Sequence, residues 1–211
     1  MSAHIVLFGA TGFTGDLVAR ALVARGAAPL LVARDERRVA ALAAELGGLD
    51  HAVADVERPE TLRAVLRRGD VLVSTVGPFA RLGGAAVEAA IARGAHYLDS
   101  TGEAPFIRDV FARHGPMAEG AGCTLVPAFG FDFVPGNLAG ALALRGTGGR
   151  ASRVEVGYFL TGATGGRATS GGTRASAAGL LLERSHAWRD GRLVLEPAGR
   201  GRLTFRVGGL E

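Results

Sequence analysis

The sequence predicts an α/β fold: a doubly wound parallel sheet followed by a second, incomplete α+β domain. Three observations carry that expectation. Short apolar runs alternate with amphipathic stretches through the first 135 residues, the rhythm of strand–helix–strand crossovers. Runs such as Ile5-Val6-Leu7-Phe8 and Val71-Leu72-Val73 are uninterrupted, as suits strands buried on both faces. Beyond Pro135 the alternation gives way to glycine-rich sequence.

In chain order, the strands are expected at His4–Phe8, Pro29–Ala33, His51–Val56, Asp70–Val76, His96–Asp99 and Cys123–Pro127. Between them, Gly15–Arg25, Glu36–Leu46, Pro59–Arg67, Gly83–Arg93 and Phe106–Glu119 carry apolar residues at helical spacing. The second part offers a helix at Gly136–Leu144, the apolar segment Val154–Phe159, a loop through Gly172 and a helix near Thr173–Arg184. Two strands near Arg192–Leu195 and Arg202–Val207 follow. We therefore expect a dinucleotide-binding domain over 1–135 and a partial substrate or dimerisation domain over 136–211. The chain stops straight after a strand pattern, so it reads as lacking a C-terminal portion. An uncovered sheet edge there favours a homodimer.

Composition removes several chemistries. The 211 residues include 24 basic ones, all arginine, and the formal charge is only +4. The pI near 10.4 thus reports guanidinium groups rather than a basic surface. Arginines lie scattered among acids, as in Arg34-Asp35-Glu36-Arg37-Arg38, which argues against nucleic acid as a partner. Without lysine, a Schiff-base enzyme, a Walker-type phosphate loop and a Tyr-x-x-x-Lys pair are excluded. The one cysteine, Cys123, reads as a strand residue in a reducing compartment. No metal-ligand spacing is present. No signal peptide and no apolar stretch long enough to span a membrane is visible. The expected location is the cytoplasm, with peripheral contact at a membrane surface left open.

The strongest motif is Gly9-Ala10-Thr11-Gly12-Phe13-Thr14-Gly15, which follows a buried strand and opens a helix. Gly9 allows the tight turn, Gly12 lets backbone approach a pyrophosphate, and Gly15 lets helix and strand pack closely. Backbone N–H groups near Phe13 and Thr14, with Thr11 beside them, would bind the diphosphate. This context makes the sheet Rossmann-type. A glycine-rich turn that binds nothing is the alternative. At the tip of the second strand, Arg34 favours the 2′-phosphate of NADP, while Asp35 keeps NAD open. Asp55 ends the third strand on the adenine side. After the fourth strand, Thr75-Val76-Gly77-Pro78-Phe79 forms a stiff loop near the expected nicotinamide position, where Phe79 would wall the ring; a simple tight turn competes. After the fifth strand, Asp99-Ser100-Thr101-Gly102-Glu103 brings Asp99 and Glu103 to the same edge as candidate catalytic acid and base. The Ser100–Glu103 spacing equally fits a capping box. A third cluster is Phe129-Gly130-Phe131-Asp132, with Asn137 beyond it.

These residues resemble the saccharopine dehydrogenase-like oxidoreductases, and within them the trans-acting enoyl reductases of actinobacterial lipid synthesis. The resemblance runs through the Gly9–Gly15 motif, Val76-Gly77-Pro78-Phe79, His96–Glu103, Gly130-Phe131-Asp132-Phe133-Val134-Pro135 and Ser170-Gly171-Gly172-Thr173. It implies an NADP-binding Rossmann domain, a substrate domain, and reduction of a double bond in an apolar, lipid-derived enoyl substrate. The chain departs from the family in ending early and in carrying Asn137 where an acid is common. A rival reading is a non-catalytic NAD(P)-binding protein, either a redox sensor or a truncated remnant.

Overall fold

A computed structural model describes residues 4–131, 133–148, 151, 154–158, 185–189 and 192–196. The chain divides into two units, 1–130 and 131–211.

In the first unit, six parallel strands run β1 (Ile5–Phe8), β2 (Leu30–Ala33), β3 (His51–Val53), β4 (Val71–Ser74), β5 (His96–Asp99) and β6 (Leu125–Val126). Their order across the sheet is β3-β2-β1-β4-β5-β6. The chain therefore reverses direction across the sheet between β1 and β4, and such a switch point opens a crevice at the carboxyl ends of the strands. Register fixes that edge: Phe8 pairs with Val32 and Ser74, and Ser74 with Asp99.

Strand alternation then builds two cores. Val6, Phe8, Val32, Leu72 and Tyr97 face one side, under Leu62, Ala86, Ala90, Phe106 and Val110. Leu7, Leu31 and Ala33 face the other, under Ala19, Val39, Leu42 and Ala43. The covering helices are α1 (Phe13–Val23), α2 (Glu36–Glu45), α3 (Pro59–Val65), α4 (Phe79–Arg93), α5 (Ala104–Asp109) and α6 (Gly115–Ala121). Small residues let α4 pack deep: a Cβ on Gly83 would lie 2.6 Å from the Phe106 ring.

Several boundaries differ from expectation. Helix α4 begins at Phe79 rather than Gly83; Gly83 lies inside it, against the Phe106 ring, and does not start it. The single helix expected over Phe106–Glu119 is two helices joined by a π-turn at Val110–His114. The third strand ends at Val53, since Asp55 and Arg58 close a separate bridge.

The second unit holds α7 (Val134–Gly146) and a hairpin of β7 (Ser185–Arg189) with β8 (Arg192–Glu196). Residues 154–158 belong to no helix or strand and lie on the glycine face of α7. A Cβ on Gly136 would meet Tyr158 and Val156, and one on Gly140 would meet Val154. The Tyr158 hydroxyl accepts from Gly136 N at 2.9 Å and donates to Phe131 O at 3.2 Å. Leu138 and Leu142 are left exposed, at 59% and 64%. The helix expected near Thr173–Arg184, the strand at Arg202–Val207, Asp132 and the Ser170–Thr173 motif lie outside the described residues.

Candidate nucleotide-binding site

The β1–α1 turn is built by three backbone constraints. Gly9 has φ +87°, a conformation that disfavours side chains. Its N–H and that of Ala10 both donate to Val32 O, at 2.8 and 3.1 Å. A Cβ there would also strike Thr75 Oγ1 at 2.7 Å. Gly12 N donates to Gly9 O at 2.9 Å, folding the loop under the start of α1. A Cβ on Gly15 would overlap the Gly9 carbonyl, so only glycine lets α1 sit this close to β1. Thr75 Oγ1 lies 3.1 Å from Phe8 O and 3.2 Å from Gly9 O, tying the end of β4 to the turn.

A cavity of about 290 Å³ opens above this turn. Gly9, Thr11, Gly12, Arg34, Asp55, Thr75, Val76 and Gly77 all line it, together with Arg38, Val56 and Leu82. The structure thus brings together the glycine turn, the tip of β2, the end of β3 and the loop after β4. Phe13 lines a neighbouring groove between α1 and α2, Thr14 is exposed and Gly15 is buried beneath the turn.

The helix termini at this edge are not equivalent. Helix α1 has Gly12 as its N-cap and no side-chain cap. In contrast, Asp35 Oδ1 accepts from Arg38 N at 3.0 Å and caps α2. Glu103 reaches from beyond β5 to accept from Phe79 N at 2.9 Å and Ala80 N at 2.8 Å, closing the start of α4. Of these three, α1 alone has no carboxylate on its first N–H groups, and its start lies above the cavity.

Arg38 was not singled out by its sequence position. Its Nη2 donates to Thr11 O at 2.9 Å, across 27 residues, so its guanidinium spans the α2 start and the glycine turn. The signal was its spacing of one helical turn from Arg34. Arg34 is exposed on the cavity wall.

Phe79, Asp99 and Glu103 are placed differently from expectation. The Phe79 ring is 8% exposed and packs against Phe106 with centroids 5.8 Å apart, so it walls the core and not the cavity. Pro78 is the N-cap of α4, joined to Gly77 by a cis peptide. Asp99 and Glu103 are buried and do not line the cavity. Asp99 Oδ1 accepts from Thr101 N and Ala128 N, both at 2.9 Å, and so ties the loops after β5 and β6 together. Burial raises the Asp99 carboxyl above the ordinary range, against the opposing pull of those two N–H groups. Its Oδ2 and the Tyr97 hydroxyl lie buried without hydrogen-bond partners among the described residues. Burial, with Asp99 nearby, likewise pushes the Tyr97 hydroxyl up. The Ser100–Glu103 capping box does not form as such. Thr101 Oγ1 accepts from Glu103 N at 3.0 Å, and the carboxylate serves a different helix. Among the described residues no cluster of His, Cys, Asp or Glu could hold a metal ion. No helix among them is long and apolar enough to cross a membrane.

A reversed-order parallel sheet with an open α1 terminus over a glycine turn defines a dinucleotide-binding Rossmann domain. Residues 5–126 match the family of saccharopine dehydrogenase NADP-binding domains, and the chain belongs to that family. Its cofactor is NADP. The chain is similar to the trans-acting enoyl reductase of Mycobacterium leprae, with 39% identity over 140 residues. It is likewise similar to that of Mycobacterium ulcerans, with 38% identity over 141 residues. Each alignment covers 64% of this chain and 34% of the relative, so the chain spans about a third of their length. The fold matches that of yeast saccharopine dehydrogenase (L-Glu forming) with a TM-score of 0.56 and 22% identity. That match covers 70% of this chain and 32% of the yeast enzyme.

Proposed function

We propose that this chain is the cofactor-binding part of an NADP-dependent reductase acting on a double bond in an apolar, lipid-derived enoyl substrate. The observation that carries the cofactor half is the uncapped α1 terminus over a cavity that two arginines, Arg34 and Arg38, also line. The fit is good on both counts. Open N–H groups suit a pyrophosphate, and guanidinium forks suit a 2′-phosphate. Asp55, two residues beyond β3, lines the cavity and would meet the adenine side, and Thr75, Val76 and Gly77 line it from the β4 side. When bound, NADPH supplies the hydride; the chain's own residues hold it, orient it and keep water out. The name shared by the mycobacterial relatives supports the enoyl substrate.

We take the residues beyond about 135 to belong to a substrate and dimerisation region, with the protein working in the cytoplasm as a homodimer. Leu138 and Leu142, exposed on α7, support that reading.

The cofactor assignment is tested by calorimetric titration of NADPH and NADH into the unaltered protein and into Arg34→Ala. NADPH should bind more tightly, and the substitution should remove roughly 10- to 100-fold of that preference, the scale of one lost charge-assisted pair. Equal affinities that the substitution leaves unchanged would sink the assignment.

A further inference from the structure

Glu103 is a buried carboxylate, 7% exposed, that spans 24 residues to hold two backbone N–H groups of another element. Those groups, Phe79 N and Ala80 N, begin α4. Immediately before them run Thr75, Val76 and Gly77, which line the nucleotide cavity. The front of this loop is tied to β1 through Thr75, whose Oγ1 lies within hydrogen-bond distance of Phe8 O and Gly9 O. Its back joins the start of α4, and Glu103 grips that point with both oxygens. Glu103 is itself held by its own N–H on Thr101 Oγ1. Thr101 N in turn donates to Asp99 Oδ1, which also takes Ala128 N. A continuous chain of hydrogen bonds thus runs from the β6 loop through the β5 loop to the β4 loop.

We propose that Glu103 is a positioning residue for the nicotinamide half of the cofactor. By fixing the start of α4, it sets the height of Val76-Gly77 at the cavity, without touching the cofactor itself. The inference rests on the reading of that cavity as the NADP site, in which the loop after β4 faces the nicotinamide end. A carboxylate is required because both acceptors are used. Glutamine keeps one acceptor and turns an NH₂ against the other N–H, so one corner of the loop is released while side-chain volume is conserved.

The test compares two probes on the full chain: NADPH, and 2′,5′-ADP, which carries the adenosine and 2′-phosphate but no nicotinamide. In Glu103→Gln, NADPH affinity should fall at least tenfold while 2′,5′-ADP affinity stays within about twofold, the fold-change of one lost charge-assisted bond. Hydrogen exchange at the Phe79 and Ala80 amides should accelerate in the same variant. Parallel losses for both probes, or no loss for either, would overturn the proposal, since a merely structural role predicts the first and an idle carboxylate the second. If Glu103→Gln does not fold, Glu103→Asp carries the same comparison, with a selective loss for NADPH again required. Failure of the unaltered protein to bind 2′,5′-ADP would instead overturn the reading of the cavity, and the positioning role with it.

Discussion

Gly12 and Gly15 lie three residues apart in one turn and answer to different demands. Gly12 has φ −80° and ψ 167°, extended backbone that any residue adopts. A Cβ added there meets only Gly9 O, at 3.2 Å, and otherwise looks into open space. Gly15 has no such freedom, because its Cβ would overlap the Gly9 backbone. Gly12→Val should therefore fold normally yet lose nucleotide binding, since its branched side chain occupies the space above the turn. Gly15→Ala should lower stability by about 1–3 kcal/mol, the usual cost of overpacking. Thermal melts paired with NADPH titration separate the two; a Gly12→Val protein that still binds would reduce the turn to a structural corner. At this scale the turn was legible in the sequence, because glycine spacing and a preceding apolar run are both local signals. The duties of Asp99 and Glu103 were not. Their partners lie 23 to 29 residues away, and no local pattern announces a contact of that range.

Strand β5 ends in a carboxyl group that the fold keeps partly against its nature. Asp99 is 2% exposed, and burial raises its pKa. A raised carboxyl binds its proton more tightly folded than unfolded. Its contribution to stability is thus complete below the ordinary carboxylate pKa and is lost as pH rises through the raised value. Asp99→Asn keeps an Oδ1 acceptor for Thr101 N and Ala128 N but cannot titrate. The unfolding free energy of the unaltered protein minus that of Asp99→Asn should fall with rising pH across that window, by about 1.4 kcal/mol for each tenfold gain in proton affinity on folding. Urea melts at a series of pH values measure it, and a difference that climbs with pH would show the carboxyl held below its ordinary pKa. Among the elements, β1, β2 and β4 were legible because buried parallel strands leave dense apolar runs. The start of α4 was hidden by Gly83-Gly84; the role of Gly83 appears only once the Phe106 ring is placed above it. Strand β7 escaped notice because Ser185-His186-Ala187-Trp188-Arg189 shows no apolar run of that kind.

Both core clusters of the sheet are drawn entirely from the first unit, residues 1–130. That unit therefore carries its own hydrophobic interior on each face, which is the requirement for independent folding. A fragment of residues 1–130 is expected to unfold cooperatively, to bind 2′,5′-ADP within a few-fold of the full chain, and to be monomeric. The full chain is expected to self-associate through the residues beyond 130. Light scattering of both proteins across a dilution series checks the pair of statements. A monomeric full chain would remove the dimer, and an unfolded fragment would show that the first unit depends on the second. The rhythm of the sequence changes near Pro135, but the packing of residues 154–158 onto the glycine face of α7 was not legible there. It depends on Gly136 and Gly140 standing one turn apart beneath Tyr158, Val156 and Val154, a match between two segments that neither discloses alone.

The carboxylates that close α2 and α4 have a consequence for anything that docks at the sheet edge. Three helices longer than two turns begin there, and each would by itself attract a diphosphate. With Asp35 and Glu103 already seated on two of them, α1 is the one of the three whose start carries no carboxylate, which favours it as the landing point of an incoming dinucleotide. The same side chains that stiffen the scaffold thereby act as a keying device: they bias docking toward the central strand and turn a repetitive edge into an address.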